Sequence, residues 1–324
     1  MSGIFAVTSK GSCTETLFYG TDYHSHLGTQ FAGLAVWGDS LNKKIHDIRW
    51  TQFKSKFFQE LGELRGNSGI GVISGNDPQP ISFNSRFGHF AIATNGFIDN
   101  AGELVRELLK KGESFSDSYD GHVNMTELIA KLINKGKTLL KGIEYMFSKI
   151  DGSCSLVILT KGGIWAARDR LGYTPLVIGS KGTEYAVTTE TTSFSNLGFK
   201  IINFLRPGEI VFLDSKGVKS KSTGRRTNQI CSFLWIYTGF PASIYEGINV
   251  EVVRERCGRF LARNDCVELD FAAGVPDSGT THAIGYAMES GIPFRRPLVK
   301  YTPGFDRSYT PPAQSTRDLI AKMK

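Results

Sequence analysis

With 324 residues, 40% of them hydrophobic and 11% aromatic, the chain is long enough for two domains and apolar enough to bury a core. No apolar run approaches the roughly 18 residues of a membrane-spanning helix, and the start lacks the basic and apolar regions of a signal peptide. The net charge of +7 is uneven: residues 295–324 hold seven basic side chains and two acidic ones, which suits an anionic ligand, a nucleic acid or a solvated tail.

In chain order, short apolar runs separated by glycine turns predict buried strands at 69–73, 90–94, 155–159, 163–167 and 176–178. Between them lie two amphipathic helix patterns. Asn100 is placed to cap a helix over 101–111 with Leu104, Val105, Leu108 and Leu109 on one face, and a second helix over 124–135 turns Leu128, Ile129 and Leu132 inward. Strands clustered with paired helices predict a layered α+β domain. Residues 216–228 shift to Lys, Ser, Thr, Arg and Gly and read as an exposed connection. After Cys231 the pattern predicts a helix over 250–262, a strand over 271–275 and a helix over 282–289, with Pro276-Asp277-Ser278-Gly279-Thr280 between the last two. A strand, a small-residue loop and a helix N-terminus can bind an anion, although a plain βα turn has the same pattern.

Few residues carry obvious chemistry. Ser2 is small enough for Met1 to be removed, and an N-terminal Ser can use its own α-amine as general base, with a pKa of about 7.7–8.0. Asn95-Gly96 follows a predicted strand. A side-chain amide next to a glycine N–H can form an oxyanion hole, and Asn-Gly is also the common hairpin turn. The five cysteines (Cys13, Cys154, Cys231, Cys257, Cys266) are odd in number and lack CxxC spacing, so neither a disulfide framework nor a closed zinc site is expected. His24, His26 and His282 have no metal-ligand pairing, and Cys257 on a helix pattern reads as a small buried residue. No recognition motif for nucleic acid is present.

Nine segments occur together in a fixed order: 1–5, 19–28, 69–71 with Gln79-Pro80, 94–100, 168–176, 206–210, 231–237, 276–279 with 285–287, and 307–311 with Gln314 and Arg317. In that order they resemble the amidophosphoribosyltransferase family over essentially the whole chain. The resemblance implies an N-terminal-nucleophile glutaminase domain, an αββα sandwich, over 1–228, and part of a type I phosphoribosyltransferase α/β domain over 229–324. It implies an enzyme that moves ammonia, normally from glutamine, onto phosphoribosyl pyrophosphate to give phosphoribosylamine in purine synthesis. Ser2 then takes the place of the nucleophilic Cys, and Asn95 and Gly96 form the oxyanion hole. Asp277, Ser278, Arg307, Gln314 and Arg317 fall in substrate-binding segments. Ser278 belongs to a partial magnesium site, and Cys231 matches an iron–sulfur ligand of some members, although a cluster is not expected here. The expected setting is a cytoplasmic homo-oligomer acting on small molecules, with no nucleic acid or membrane partner.

Departures from the family pattern concentrate at the glutaminase site. The Arg of its His-Arg-Gly is Leu27. Its Arg-Tyr-Ser-Thr stretch, whose Arg holds the glutamine carboxylate, has no counterpart between Gly71 and Gln79. The Asp that pairs with the α-ammonium is Met125. Each lost charged partner costs about 2–5 kcal/mol if the ligand charge stays buried, so glutamine affinity is expected to fall at least about 10³-fold. The acidic pair and glycine-rich loop of a phosphoribosyltransferase do not occur by Lys324, and the 324-residue chain alone is expected not to catalyse transfer. Two other readings stand beside this one: a serine amidohydrolase of the same fold acting on another substrate, and a non-catalytic regulatory or assembly paralogue.

Overall fold

The computed structural model describes residues 2–300 apart from 117 and 120, together with 314, 315, 317 and 318. The chain divides into two compact units, Met1–Ile230 and Cys231–Lys324.

The first unit opens with β1 (Gly3–Thr8), α1 (Thr14–Asp22), β2 (Phe31–Trp37), β3 (Leu41–Asp47) and α2 (Phe53–Phe57). Next come β4 (Ser68–Ser74), β5 (Ile81–Ser85), β6 (Gly88–Ile98), α3 (Ala101–Lys110), the small hairpin β7 (Ser118–Tyr119) and β8 (His122–Val123), α4 (Met125–Asn134) and α5 (Leu139–Lys149). It ends with β9 (Gly152–Thr160), β10 (Gly163–Ala167), β11 (Val177–Lys181), β12 (Glu184–Thr188), α6 (Thr192–Leu197), β13 (Lys200–Phe204), β14 (Glu209–Asp214) and β15 (Gly217–Thr223). One sheet has the order β13-β11-β12-β1-β4-β2-β3 and the other β15-β14-β10-β9-β6-β5.

Side-chain alternation turns these sheets into four layers. In β6, Ala91 and Ala93 face β1, β2 and β4 across the sheet–sheet interface, while Phe90 and Ile92 face α4 and α5. On the far side of the first sheet, Phe5, Val7 and Ile73 pack against Leu17 and Phe18 of α1 and Phe194 of α6. The result is the αββα sandwich expected from the sequence. All six residues of β1 are buried because this strand is covered on both faces.

Local expectations met the structure with some differences. Asn124 caps α4 by accepting the Thr126 N–H at 2.9 Å. Asn100 makes no side-chain cap; it instead donates to the Lys149 carbonyl and accepts from Asp151 N–H, tying α3 to the end of α5. Leu109 is 50% exposed, so the apolar face of α3 is narrower than its periodicity suggested. Much of the stretch read as a connection is β15, an edge strand whose lysines kept it from reading as one.

The second unit contains a short turn of π-helix at Leu234–Thr238, the hairpin β16 (Ile244–Tyr245) and β17 (Ile248–Asn249), α7 (Val250–Arg263) and α8 (Gly279–Ser290). Asn249 caps α7 by accepting Val252 N–H. The strand expected over 271–275 is only a single parallel bridge, Ala272 to Phe294. Cys257 is half-buried.

Candidate active site

Ser2 stands just ahead of β1, and the register of that strand decides what surrounds it. Phe5 pairs with Thr188 on β12. The pairing runs on past the strand: Thr189 N–H donates to the Ile4 carbonyl, and Ile4 N–H donates to Thr189 Oγ1 at 3.0 Å. Glu190 then turns back, its N–H donating to Thr188 Oγ1 at 3.2 Å. Gly3 is pressed against His24, whose Cβ would lie 2.4 Å from any Cβ added at Gly3.

On the other sheet, Asn95 and Gly96 lie inside β6, opposite Ser155 and Cys154 of β9, and form no turn. Asn95 Oδ1 accepts the Ser2 N–H at 3.0 Å, and both residues are buried. With its oxygen engaged there, the amide directs its NH₂ elsewhere, as an oxyanion donor must. Gly96 admits no side chain, because a Cβ there would sit 2.0 Å from the Ser153 carbonyl oxygen. The structure therefore brings together the three residues predicted for acyl chemistry.

The neighbouring strand end is tied to a helix start. Thr94 N–H donates to Gln79 Oε1 at 2.7 Å, and the Thr94 and Thr126 hydroxyls are 2.8 Å apart. Asn124 donates to the Pro78 carbonyl, and the first N–H of α4, from Met125, reaches Asp77 Oδ2 at 3.1 Å. Ser74, buried at the end of β4, lies against Gly28, and Leu27 and Met125 are half-buried. Where the family resemblance puts the two charged anchors for an amino acid, this chain has the short turn 75–78 and Met125, and Leu27 replaces a further arginine of the family pattern. Asp77 was not singled out from sequence; its role depends on a turn that brings residue 77 to residue 125.

A buried polar cluster backs β1. His24 Nδ1 donates to the Gly20 carbonyl at 2.8 Å, and its Nε2 is 2.9 Å from the Thr188 hydroxyl, which is also bonded to Ser193. Desolvation pushes His24 down to about 4. His26, which is 24% exposed, meets Glu190, which is 1% exposed, at 2.5 Å. Both histidines were expected to be structural; neither their cluster nor Glu190 was legible, because the partners are more than 160 residues away.

In the second unit, Asp277 and Ser278 immediately precede α8. The Asp277 carboxylate is exposed and holds Lys300 Nζ at 3.0 Å, and the Ser278 carbonyl bonds His282 Nδ1. Among the described residues no three His, Cys, Asp or Glu side chains gather into a metal-binding group. Asp277 and Ser278 alone do not make a magnesium site, nor does Cys231 gather the thiolates of a cluster. Arg307 lies outside the described residues. Gln314 and Arg317 bond to one another, with Arg317 Nη2 2.8 Å from Gln314 Oε1. Sequence reading missed Arg254, a buried guanidinium on α7 that donates to the carbonyls of Trp235 and Gly239 and holds the start of the unit on the helix.

Residues 68–196 match the glutamine amidotransferase domain family. The whole chain is 31% identical to the amidophosphoribosyltransferase of Bacillus subtilis (strain 168), with 99% of this chain and 69% of that protein aligned. It is 30% identical to the amidophosphoribosyltransferase of Methanocaldococcus jannaschii, covering 74% of it. Among solved structures, the glutamine phosphoribosylpyrophosphate amidotransferase of B. subtilis, complexed with ADP and GMP, superposes with a TM-score of 0.86 over 98% of this chain and 70% of that one. Sequence identity over the full length of the chain and a shared fold lead to one conclusion: the chain belongs to the amidophosphoribosyltransferase family.

Proposed function

We propose that this protein transfers ammonia to phosphoribosyl pyrophosphate, and that free ammonia serves it better than glutamine. In this reading residues 1–228 are the glutaminase-type domain and 229–324 are part of the transferase domain. The protein works in the cytoplasm as a homo-oligomer on small molecules.

One observation carries the preference for ammonia. Ser2 N–H rests on Asn95 Oδ1 at 3.0 Å beside Gly96, while the segment between Gly71 and Gln79 lacks the arginine for the glutamine carboxylate and Met125 replaces the aspartate for its ammonium. Ser2 Oγ would attack an amide carbonyl, its α-amine would take the proton, and Asn95 and Gly96 would hold the oxyanion. Without partners for its α-carboxylate and α-ammonium, glutamine is neither held nor oriented for that attack. On the transferase side, Asp277 and Ser278 at the start of α8 offer backbone N–H groups to a phosphate.

The test compares nitrogen donors in the protein as its gene encodes it. Ammonium chloride supports pyrophosphate release from phosphoribosyl pyrophosphate, and glutamine does so at least about 10³-fold less efficiently. Glutamate release from glutamine at a matching rate overturns the reading.

A further inference from the structure

We propose that Gln79 is a positioning residue for the oxyanion site: its side-chain carboxamide takes the place of a missing strand beside β6 and fixes the edge from which the Gly96 N–H projects. The inference rests on the reading of Ser2, Asn95 and Gly96 as an acyl-transfer site.

β5 pairs with β6 only as far as Ile81 and Ile92, whereas β9 follows β6 to its end at Ile98. From residue 93 onward, one edge of β6 has no strand beside it. In an antiparallel ladder successive residues turn their N–H groups to opposite edges. Two bonds fix the phase. Asp99 N–H donates to the Asp151 carbonyl at 2.8 Å, on the β9 side. Thr94 N–H donates to Gln79 Oε1 at 2.7 Å, on the side that β5 has left. Asn95, in phase with Asp99, therefore points its N–H at β9. Gly96, in phase with Thr94, points its N–H out of the open edge, at an exposed position.

Gln79 closes that edge up to Gly96 and no further. It is 4% exposed, and its carbonyl packs on Gly33 of β2, which has no Cβ to keep it out. Its Nε2 reaches Ser74 Oγ at 3.4 Å, and the Thr94 hydroxyl lies 2.8 Å from that of Thr126 on α4. The carboxamide thus ties the end of β4 to β6 one residue before Asn95, whose Oδ1 holds the Ser2 N–H. A buried N–H without an acceptor is costly, so without Oε1 the Thr94 N–H turns to another partner and the strand end shifts with it. A displacement of about 1 Å at a reacting centre can cost about 10²-fold in rate.

The sequence has a single Asn-Gly pair, so ¹³C-carbonyl Asn combined with ¹⁵N Gly marks one peptide group, that of Gly96. The full chain is compared with Gln79→Met and Gln79→Leu, which fill the space without a strong acceptor for Thr94, and with Gln79→Glu, which offers an acceptor oxygen in either protonation state. Ile143→Val in the core of α5 is the control for a loss of stability away from β6. The acyl step is read with 4-nitrophenyl acetate, a neutral donor that needs no charged anchor. Ser2 Oγ bonds to the acetyl carbon, nitrophenolate leaves with the electron pair, and the α-amine takes the hydroxyl proton. Mass spectrometry locates the acetyl group, and Ser2→Ala gives the background. In Gln79→Met and Gln79→Leu the Gly96 resonance should move and acetylation of Ser2 should slow about tenfold or more. Gln79→Glu and Ile143→Val should keep the original resonance and a rate within about threefold. An unchanged rate in whichever of Gln79→Met and Gln79→Leu folds, whatever the resonance does, overturns the proposal and leaves the acyl-transfer reading standing. An unaltered chain that takes up acetyl no faster than Ser2→Ala overturns that reading and the proposal with it.

Discussion

His24 is fully buried, and desolvation favours its neutral imidazole; Nδ1–H donates to the Gly20 carbonyl, and Nε2 lies 2.9 Å from the Thr188 hydroxyl. Its folded-state pKa of about 4 lies below the ordinary 6.5. The unfolded chain therefore takes up the proton first as pH falls. The stability this group contributes is complete above pH 6.5 and is lost between 6.5 and 4, an effect of about 3 kcal/mol. Urea titrations at pH 7, 5.5 and 4 should show that loss, and in His24→Gln, already less stable at pH 7, the dependence over this window should be flatter. A second residue-scale prediction concerns Met125. Restoring a carboxylate with Met125→Asp should raise kcat/KM for glutamine about tenfold or more, since one charged partner is worth about 2–5 kcal/mol; an unchanged value would mean that the first turn of α4 does not face the donor. At this scale Ser2, Asn95 and Gly96 were singled out by residue type, with a plain N-terminus and a hairpin turn as equal readings until the ordered segments of the whole chain were set together. The sequence was silent about Asp77 and Glu190, whose roles come from distant pairings.

Among the elements, the crossing of α7 and α8 leaves no room for error. A Cβ on Gly258 would lie 1.9 Å from the His282 carbonyl oxygen, and one on Gly285 would lie 2.1 Å from that of Glu255. In each case the obstacle is backbone and cannot rotate away. Gly258→Ala and Gly285→Ala should each destabilise the second unit by about 1–3 kcal/mol or more, despite the better helix propensity of Ala. Near-UV circular dichroism of the tyrosines and Trp235 would report it. Most strands and helices were readable from periodicity, because β4, β9 and β10 are apolar runs ended by glycine, and α4 keeps its inward stripe of Leu128, Ile129 and Leu132. Others were hidden for physical reasons. An exposed edge strand such as β15 has no apolar pattern, and Asn95-Gly96 inside β6 looks like a turn until its partner β9 is known.

At the scale of the molecule, the three large apolar clusters among the described residues all lie within the first unit. Residues 1–230 expressed alone should therefore melt cooperatively, within about 3 °C of the corresponding transition in the full chain. Differential scanning calorimetry of both proteins decides this. Of the seven basic residues in 295–324, four (Arg295, Arg296, Lys300 and Arg317) are among the described residues; Lys300 is held by Asp277 and Arg317 by Gln314. Length suggested two domains, and the chain divides into two compact units. Charge alone left an anionic ligand, a nucleic acid and a solvated tail open, because which side chains meet a ligand depends on long-range geometry that no local pattern encodes.

Cys154 lies opposite Gly96 on β9, and burial drives its thiol far above the ordinary range. Cys13 is also buried and pushed up to about 12, whereas Cys266 is exposed. Only a thiolate reacts appreciably with an alkylating reagent. Cys266 should label at once and Cys154 only when the β6–β9 ladder comes apart. The slow phase at Cys154 then acts as an intrinsic clock for how often the strand that carries Asn95 and Gly96 opens, readable by mass spectrometry of the alkylated chain.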